Sequence, residues 1–476
     1  MRLFLLLAVP LFAQTPCADM ARLPGITAAE QTATHCKVSI TLRPSADSEI
    51  KSEVWLPPAG VWNGKFLMEG GGGFVGSINT GGMTNAVREG YASASTDTGH
   101  TGGSGSFALG HPEKIVDFAY RAVHETAVKA KVLIAAYYGR GPRLSYWEGC
   151  STGGRQGLMS AQRYPEDFDG IIAGAPANNQ IHLCAWRMRL LMTALKSPQH
   201  ALPLDKLKLL NDAVLDKCDS NDGVKDRLLE DPRNCNFDPA VLKCNGPETA
   251  GCLTPQQLET VDAAYTDIRK STGELLYPRL PFGGELGWRV PAGETEPGKM
   301  DTDMFRYIAN QNPSWDWRTF DVEKDMERAL LHGKEIHAVD PDLARFKARG
   351  GKLLIYHGWS DGGSGGAISA LNTISYYESV LKHMGPNQDN WLRLFMVPGM
   401  AHCGGGTGPN QLNVLAALER WREQNEPPKS ITAARVTERG RMDMTRPLCP
   451  YPQRAVYKGR GSIYDAGNYT CQAKGQ

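Results

Sequence analysis

The sequence predicts an α/β protein with a mostly parallel sheet and one large insertion, and three observations predict it. Short apolar runs alternate with helical periods up to about residue 177 and again from about residue 341. Between them, residues 178–340 are rich in Asp, Asn, Pro, Cys and Trp, with only scattered helices expected. Within the first part, Gly149-Cys150-Ser151-Thr152-Gly153 has the G-x-S-x-G form of a nucleophile elbow. The chain has 476 residues, more than one core carries, so a main domain and an inserted one suit its length.

The elements follow in order. Glu53–Leu56 and Lys65–Met68 read as strands joined at Asn63-Gly64, and Gly70–Gly73 follows at once. Ile115, Phe118, Ala119, Val123 and Ala127 recur near a 3.6 period, which predicts one long helix over 115–138. Leu144–Glu148 is a short strand, a helix runs from the elbow to Arg163, and Gly170–Ala173 is a buried strand. The alternation returns with a helix over Asp342–Arg349, a strand over Lys352–Tyr356, a helix over Ile368–His383 and a strand over Arg393–Val397. The elbow, with a strand before it and a helix after, makes this an α/β-hydrolase core in two parts, 14–177 and 341–476, around an inserted lid over 178–340.

Composition narrows the setting. Lys and Arg total 52 against 51 Asp and Glu, so nothing points to a nucleic-acid or anionic-membrane partner. Met1-Arg2, the apolar run Leu3–Phe12 and small Ala13 read as a signal peptide over 1–13, too short for the roughly 20 residues of a membrane span. The mature chain is expected to be secreted or periplasmic. Eleven cysteines fit an oxidising compartment, and the odd number leaves at least one thiol over.

A serine nucleophile needs a base, and the base needs an orienting carboxylate. In this fold they follow in the order Ser, Asp, His. The strand at Lys352–Tyr356 runs into His357-Gly358-Trp359-Ser360-Asp361, and the strand at Arg393–Val397 into Pro398-Gly399-Met400-Ala401-His402. Asp361 and His402 therefore stand on loops at strand carboxyl ends, where such sheets gather ligands. His357 is a rival base, but it precedes the acid and reads as a packed histidine shaping the loop. Cys150 precedes Ser151 and Cys403 follows His402. If the two pair, nucleophile and base hang from one link, worth roughly 5 kcal/mol in loop entropy on one disputed account.

The Cys150-Ser151, Asp361, His402-Cys403 arrangement resembles the tannase and feruloyl esterase family, whose hallmark it is. The resemblance spans nearly the whole mature chain, taking in Asn63-Gly64-Lys65-Phe66, the elbow, Gly170–Pro176 and the cysteine-rich segment 218–252. It implies disulfides Cys150–Cys403, Cys218–Cys235, Cys244–Cys252, Cys449–Cys471 and Cys17–Cys36, leaving Cys184 as a buried free thiol. Asp219, Asp222 and Asp226 alone would make a solvated turn at Asp222-Gly223. The resemblance instead implies a structural calcium in the lid, held by those three carboxylates and the carbonyls of Val224 and Leu228.

The expected chemistry is two-step acyl transfer without an organic cofactor. Oxyanion donors are expected from the backbone N–H of Thr152 and, in the glycine loop, of Gly72. Trp288, Trp315, Trp317 and Phe320 offer walls for a flat acyl ring, although aromatics of this kind also build cores. Family likeness implies esters of phenolic acids such as gallate or ferulate. Other aryl esters, such as terephthalate monoesters, and the peptide bonds of a secreted serine peptidase remain alternatives, as does a binding protein without catalysis. The run Gly362-Gly363-Ser364-Gly365-Gly366 departs from the apolar and proline residues expected there.

Overall fold

The computed structural model describes residues 15–74, 76–288, 296–362, 368–437 and 439–473. The expected signal peptide and most of the glycine run after Gly362 lie outside them. Strands β1 (Ile26–Gln31), β2 (Cys36–Leu42), β3 (Ile50–Leu56), β4 (Lys65–Glu69), β5 (Ala92–Thr96), β6 (Leu144–Cys150) and β7 (Gly170–Gly174) open the chain. A short pair, β8 (Ile268–Arg269) and β9 (Leu275–Tyr277), lies in the insertion, and β10 (Lys352–Gly358) and β11 (Leu392–Val397) follow it. Nine strands form one sheet in the order β1-β2-β3-β5-β4-β6-β7-β10-β11. From β5 to β11 every neighbouring pair is parallel, whereas β1, β2 and β3 form an antiparallel arm.

Local chemistry explains these elements. The strand β7 reads Gly-Ile-Ile-Ala-Gly and is buried along its whole length, as a central parallel strand must be. The long helix predicted over 115–138 is present with one interruption, a π-turn at Asp117–Arg121 between Pro112–Val116 and Ala122–Tyr138. Beside that turn the buried Arg155 guanidinium donates to the carbonyls of Phe118, Ala119 and Ile336, and burial pulls its pKa down to about 9. One cation thus ties the elbow helix to the helix behind it and to the end of the insertion.

The insertion is more ordered than its composition suggests. In place of scattered helices it carries Gln180–Ala194, Leu204–Cys218, Pro255–Ala264 and Val322–Gly333, with their own apolar cluster around Trp186, Leu210, Val261, Phe305 and Met326. The first of these is buried on nearly every side, so it lacks the polar stripe that marks a surface helix. Hairpins at Ile431–Val436 with Met442–Leu448, and Arg454–Tyr457 with Tyr469–Gln472, close the chain and were not legible as strands.

Candidate active site

The nucleophile comes first. Ser151 leaves β6 with φ 63° and ψ −120° and caps the helix Thr152–Arg163, a backbone state that costs of order 1–3 kcal/mol in a non-glycine residue. The surroundings hold it there. Ser151 N–H donates to Gly174 O at 2.9 Å, and its carbonyl accepts from Arg155 N and Ala177 N, each at 3.0 Å. The elbow leaves no room for side chains: a Cβ on Gly149 would stand 2.6 Å from the Gly153 carbonyl carbon, and one on Gly70 would stand 2.7 Å from Gly153 Cα. The glycine loop and the elbow therefore touch backbone to backbone.

That contact arranges the N–H groups. Thr152 Oγ1 donates to Gly73 O at 3.0 Å, and Asn79 Nδ2 donates to Gly70 O at 2.9 Å. Gly70 N–H is spent on Glu148 O and Gly71 N–H on Gln156 Oε1. The N–H groups of Gly72 and Thr152, by contrast, have no partner among the described residues, and Gly72 faces open space. Asn79 and Gln156 thus brace the loop, and nothing in their local sequence signalled that role.

Asp361 stands after β10 and is almost fully buried. Its Oδ2 accepts from His402 Nδ1 at 2.7 Å and from His357 Nε2 at 3.0 Å, and its Oδ1 accepts from Ile368 N at 3.3 Å. Burial pushes the carboxyl up, but the bonds from His357 and His402 outweigh that and hold it below the usual range. His357 Nε2 also faces Ile368 O, so this nitrogen carries the proton, and Nδ1 accepts from Thr373 Oγ1 at 2.8 Å. His357 is therefore buried and packed, as its sequence position suggested, but it also grips the acid. Its spacing of four residues from Asp361 was visible in the sequence; its hydrogen bond was not.

This grip predicts a pH effect. A carboxyl with a depressed folded pKa adds stability above its unfolded pKa and loses it as pH falls through the folded value. In a His357→Asn enzyme the Asp361 pKa should rise toward its unfolded value, so the melting temperature should fall less between neutral and acid pH than it does in wild type. At neutral pH kcat/KM should fall by about tenfold, as for one hydrogen bond to a charged group. An acid dependence of the melting temperature identical to wild type would refute the role.

His402 follows β11 and donates Nδ1–H to Asp361, which leaves Nε2 free to act as a base. Among the described residues the Ser151 hydroxyl has no hydrogen-bond partner; free enzymes often hold this pair loosely. The link between them is covalent. Cys150 and Cys403 form a disulfide with Cα atoms 5.9 Å apart, and Cys403, like Ser151, has a positive φ, at 61°. The other disulfides are Cys17–Cys36, Cys218–Cys235, Cys244–Cys252 and Cys449–Cys471. Cys184 is a buried free thiol, its pKa pushed far up by burial.

The insertion meets this site at several points. Ser360 Oγ donates to Gly283 O at 2.9 Å, Ser369 Oγ donates to Arg279 O at 2.5 Å, and Ser369 N–H donates to Tyr277 OH at 3.2 Å. Trp288 abuts the acid loop, where a Cβ on Gly362 would lie 2.6 Å from its ring. Trp315 and Phe320 instead pack on Phe305 and each other within the insertion's own core. Trp317 is also buried in that cluster.

The segment Asp219–Leu228 hangs from the Cys218–Cys235 disulfide. Asp219 Oδ1 accepts from Arg227 N at 2.9 Å, Asp222 Oδ1 from Val224 N at 3.0 Å and Asp226 Oδ1 from Leu228 N at 3.1 Å. Asp226 also pairs with the buried Arg446. Among the described residues, no three His, Cys, Asp or Glu side chains are grouped so as to hold a metal ion. Val224 and Leu228 are buried, yet their carbonyls accept no hydrogen bond from any described residue.

Comparison with known proteins agrees with this geometry. The family model described as tannase and feruloyl esterase matches residues 36–472. The chain is 35% identical over 458 residues to a probable feruloyl esterase B of Aspergillus clavatus, covering 92% of this chain and 86% of that one. A solved esterase from Aspergillus oryzae superposes with a TM-score of 0.89 at 33% identity, covering 96% of this chain and 99% of its own. Feruloyl esterase B from Aspergillus oryzae gives a TM-score of 0.87 at 32% identity, covering 98% and 95%. The chain is an α/β-hydrolase and a carboxylic ester hydrolase, and it belongs to the tannase and feruloyl esterase family.

Proposed function

We propose that this protein is an exported serine esterase that cleaves esters of phenolic acids, such as ferulate or gallate, through an acyl-enzyme on Ser151. The observation that carries the reading is the Asp361–His402 hydrogen bond of 2.7 Å, set beside a disulfide that joins the neighbours of nucleophile and base. In this reading His402 Nε2 takes the Ser151 proton as the oxygen attacks the ester carbonyl. Asp361 fixes the tautomer and stabilises the imidazolium. The unpaired N–H groups of Thr152 and Gly72 receive the oxyanion. His402 returns the proton to the leaving alcohol, and water, deprotonated by the same imidazole, releases the acid.

Two relatives whose names specify feruloyl esters support the acyl class. Residues 178–340 serve as the lid, with Trp288 as its contact to the acyl ring. Export is supported by five disulfides and by the lack, among the described residues, of any helix long and apolar enough to cross a membrane.

The reading includes a structural calcium in the lid. Three carboxylates and two unpaired buried carbonyls are the hard oxygen donors this cation takes. The three carboxylates are not grouped as a ready metal cluster; Asp219, Asp222 and Asp226 would close on the cation together with the carbonyls of Val224 and Leu228. Bound there, it would supply only cross-linking of a lid loop.

A substrate panel tests the function. The enzyme should hydrolyse methyl ferulate or methyl gallate faster than a terephthalate monoester, and a peptide anilide not at all. Failure to cleave any aryl ester would overturn the reading, and rapid peptide cleavage would replace it with the peptidase alternative.

A further inference from the structure

The insertion carries a Ser–His–acid relay of its own, which takes no part in cleavage at Ser151. Ser197 follows the helix Gln180–Ala194, His200 stands three residues later, and Glu259 lies on the helix Pro255–Ala264. Ser197 Oγ is 2.9 Å from His200 Nδ1, and His200 Nε2 is 3.0 Å from Glu259 Oε2. Thr260 Oγ1 donates to His200 O at 2.8 Å, so the backbone and the ring of His200 are both held against that helix. His200 is 7% exposed, whereas Ser197 is half-buried and open to a reagent from solvent.

Helix capping does not account for Ser197. A serine before a helical turn ordinarily spends its oxygen on the N–H two or three residues on. Ser197 precedes the turn Pro198–His200, yet its side chain caps nothing. The N–H of Gln199, an ordinary recipient of such a cap, has no partner among the described residues. The serine oxygen faces the imidazole instead. Bonds from Lys196 and then His200 hold the Glu259 carboxyl below the usual range, so it stays an anion. An anion on Nε2 keeps the ring proton there and leaves the Nδ1 lone pair to accept from the serine hydroxyl. The ring is turned over relative to His402, which shows Nδ1 to its acid. Nucleophile, base and orienting acid within hydrogen-bond reach mark an activated hydroxyl, recognised by role and not by sequence position.

We propose that Ser197 is a second nucleophilic serine, which takes the acyl group of small activated esters at the surface of the insertion. Ser197 Oγ attacks the ester carbonyl as its proton passes to His200 Nδ1. The bond to the leaving phenol then breaks, and that proton goes to the departing oxygen. Glu259 positions the ring and does not touch the ester. The unspent Gln199 N–H is the backbone donor this turn offers the oxyanion. With one donor, the site suits esters whose leaving group is already good, such as aryl acetates. The serine ester that forms has a poor leaving group, so it persists, and each chain takes one acyl group without turnover.

The test uses Ser151→Ala enzyme, in which the main site is silent, so its result does not depend on which ester Ser151 prefers. The enzyme is mixed with p-nitrophenyl acetate, nitrophenolate release is followed, and acid-quenched protein is digested and fragmented in a mass spectrometer. The expected result is one acetyl group on Ser197. Adding His200→Gln should slow its formation about a hundredfold, the contribution of a positioned base. Glu259→Gln should slow it by a smaller factor. Melting temperatures show whether the variants are folded; if His200→Gln is not, Glu259→Gln, a change at an exposed position, decides. Acetyl groups confined to lysines such as Lys196 would overturn the proposal. So would a Ser197 adduct that forms as fast in both variants as in their parent.

Discussion

Ser151→Ala is expected to lower kcat on every ester by about 10⁶-fold, the loss seen when a triad nucleophile is removed. The prediction rests on the position, not the motif alone. Ser151 is the residue at φ 63° on the strand-to-helix turn, its backbone pinned on both sides by Gly174, Arg155 and Ala177. Alanine bears the same backbone strain, so the melting temperature should stay within a few degrees. Because the triad acts as a unit, adding His402→Ala to Ser151→Ala should cost little more. A Ser151→Ala enzyme retaining more than about a hundredth of wild-type kcat would place the nucleophile elsewhere, given the size of the expected loss.

Chelation should have the second largest effect, on stability. A cation that binds only the folded lid stabilises it by about 2.7 kcal/mol at a hundredfold excess over Kd. Its removal should lower Tm by several degrees, and added calcium should restore it. Asp222→Asn should show the lower Tm from the start and respond little to chelator. The amide can still accept from Val224 N, the bond that shapes the turn, so the loop itself need not collapse. A wild-type Tm that ignores chelator, with Asp222→Asn equal to wild type, would remove calcium from the account.

The parts legible in the sequence are those where local chain and site coincide. The elbow strains one residue and needs glycines within a few positions, so it leaves a compact signature at Gly149–Gly153. Asp361 and His402 stand just beyond buried parallel strands, and such strands read as apolar runs. The remaining contacts join segments far apart in sequence. His357 holds Asp361 only because Thr373 and Ile368 fix its ring from the following segment. Asn79 braces the glycine loop from the cap of one helix and Gln156 from the second turn of another.

The fold shows the same division. The insertion's first helix is buried almost all round, so no polar face betrayed it. The arm strand β1 is exposed or half-exposed along its length and gives no clear alternation. The π-turn at Asp117–Arg121 leaves the apolar period intact, which is why one uninterrupted helix was expected there.

The central claim, an acyl-enzyme on Ser151, has a direct test. Wild-type enzyme is mixed with excess methyl ferulate, quenched in acid within milliseconds, digested and weighed by mass spectrometry. The account predicts one feruloyl group, confined to the peptide that carries Ser151 and absent from Ser151→Ala. Ferulate released with no acyl adduct at any time, or an adduct on a different residue, would contradict it.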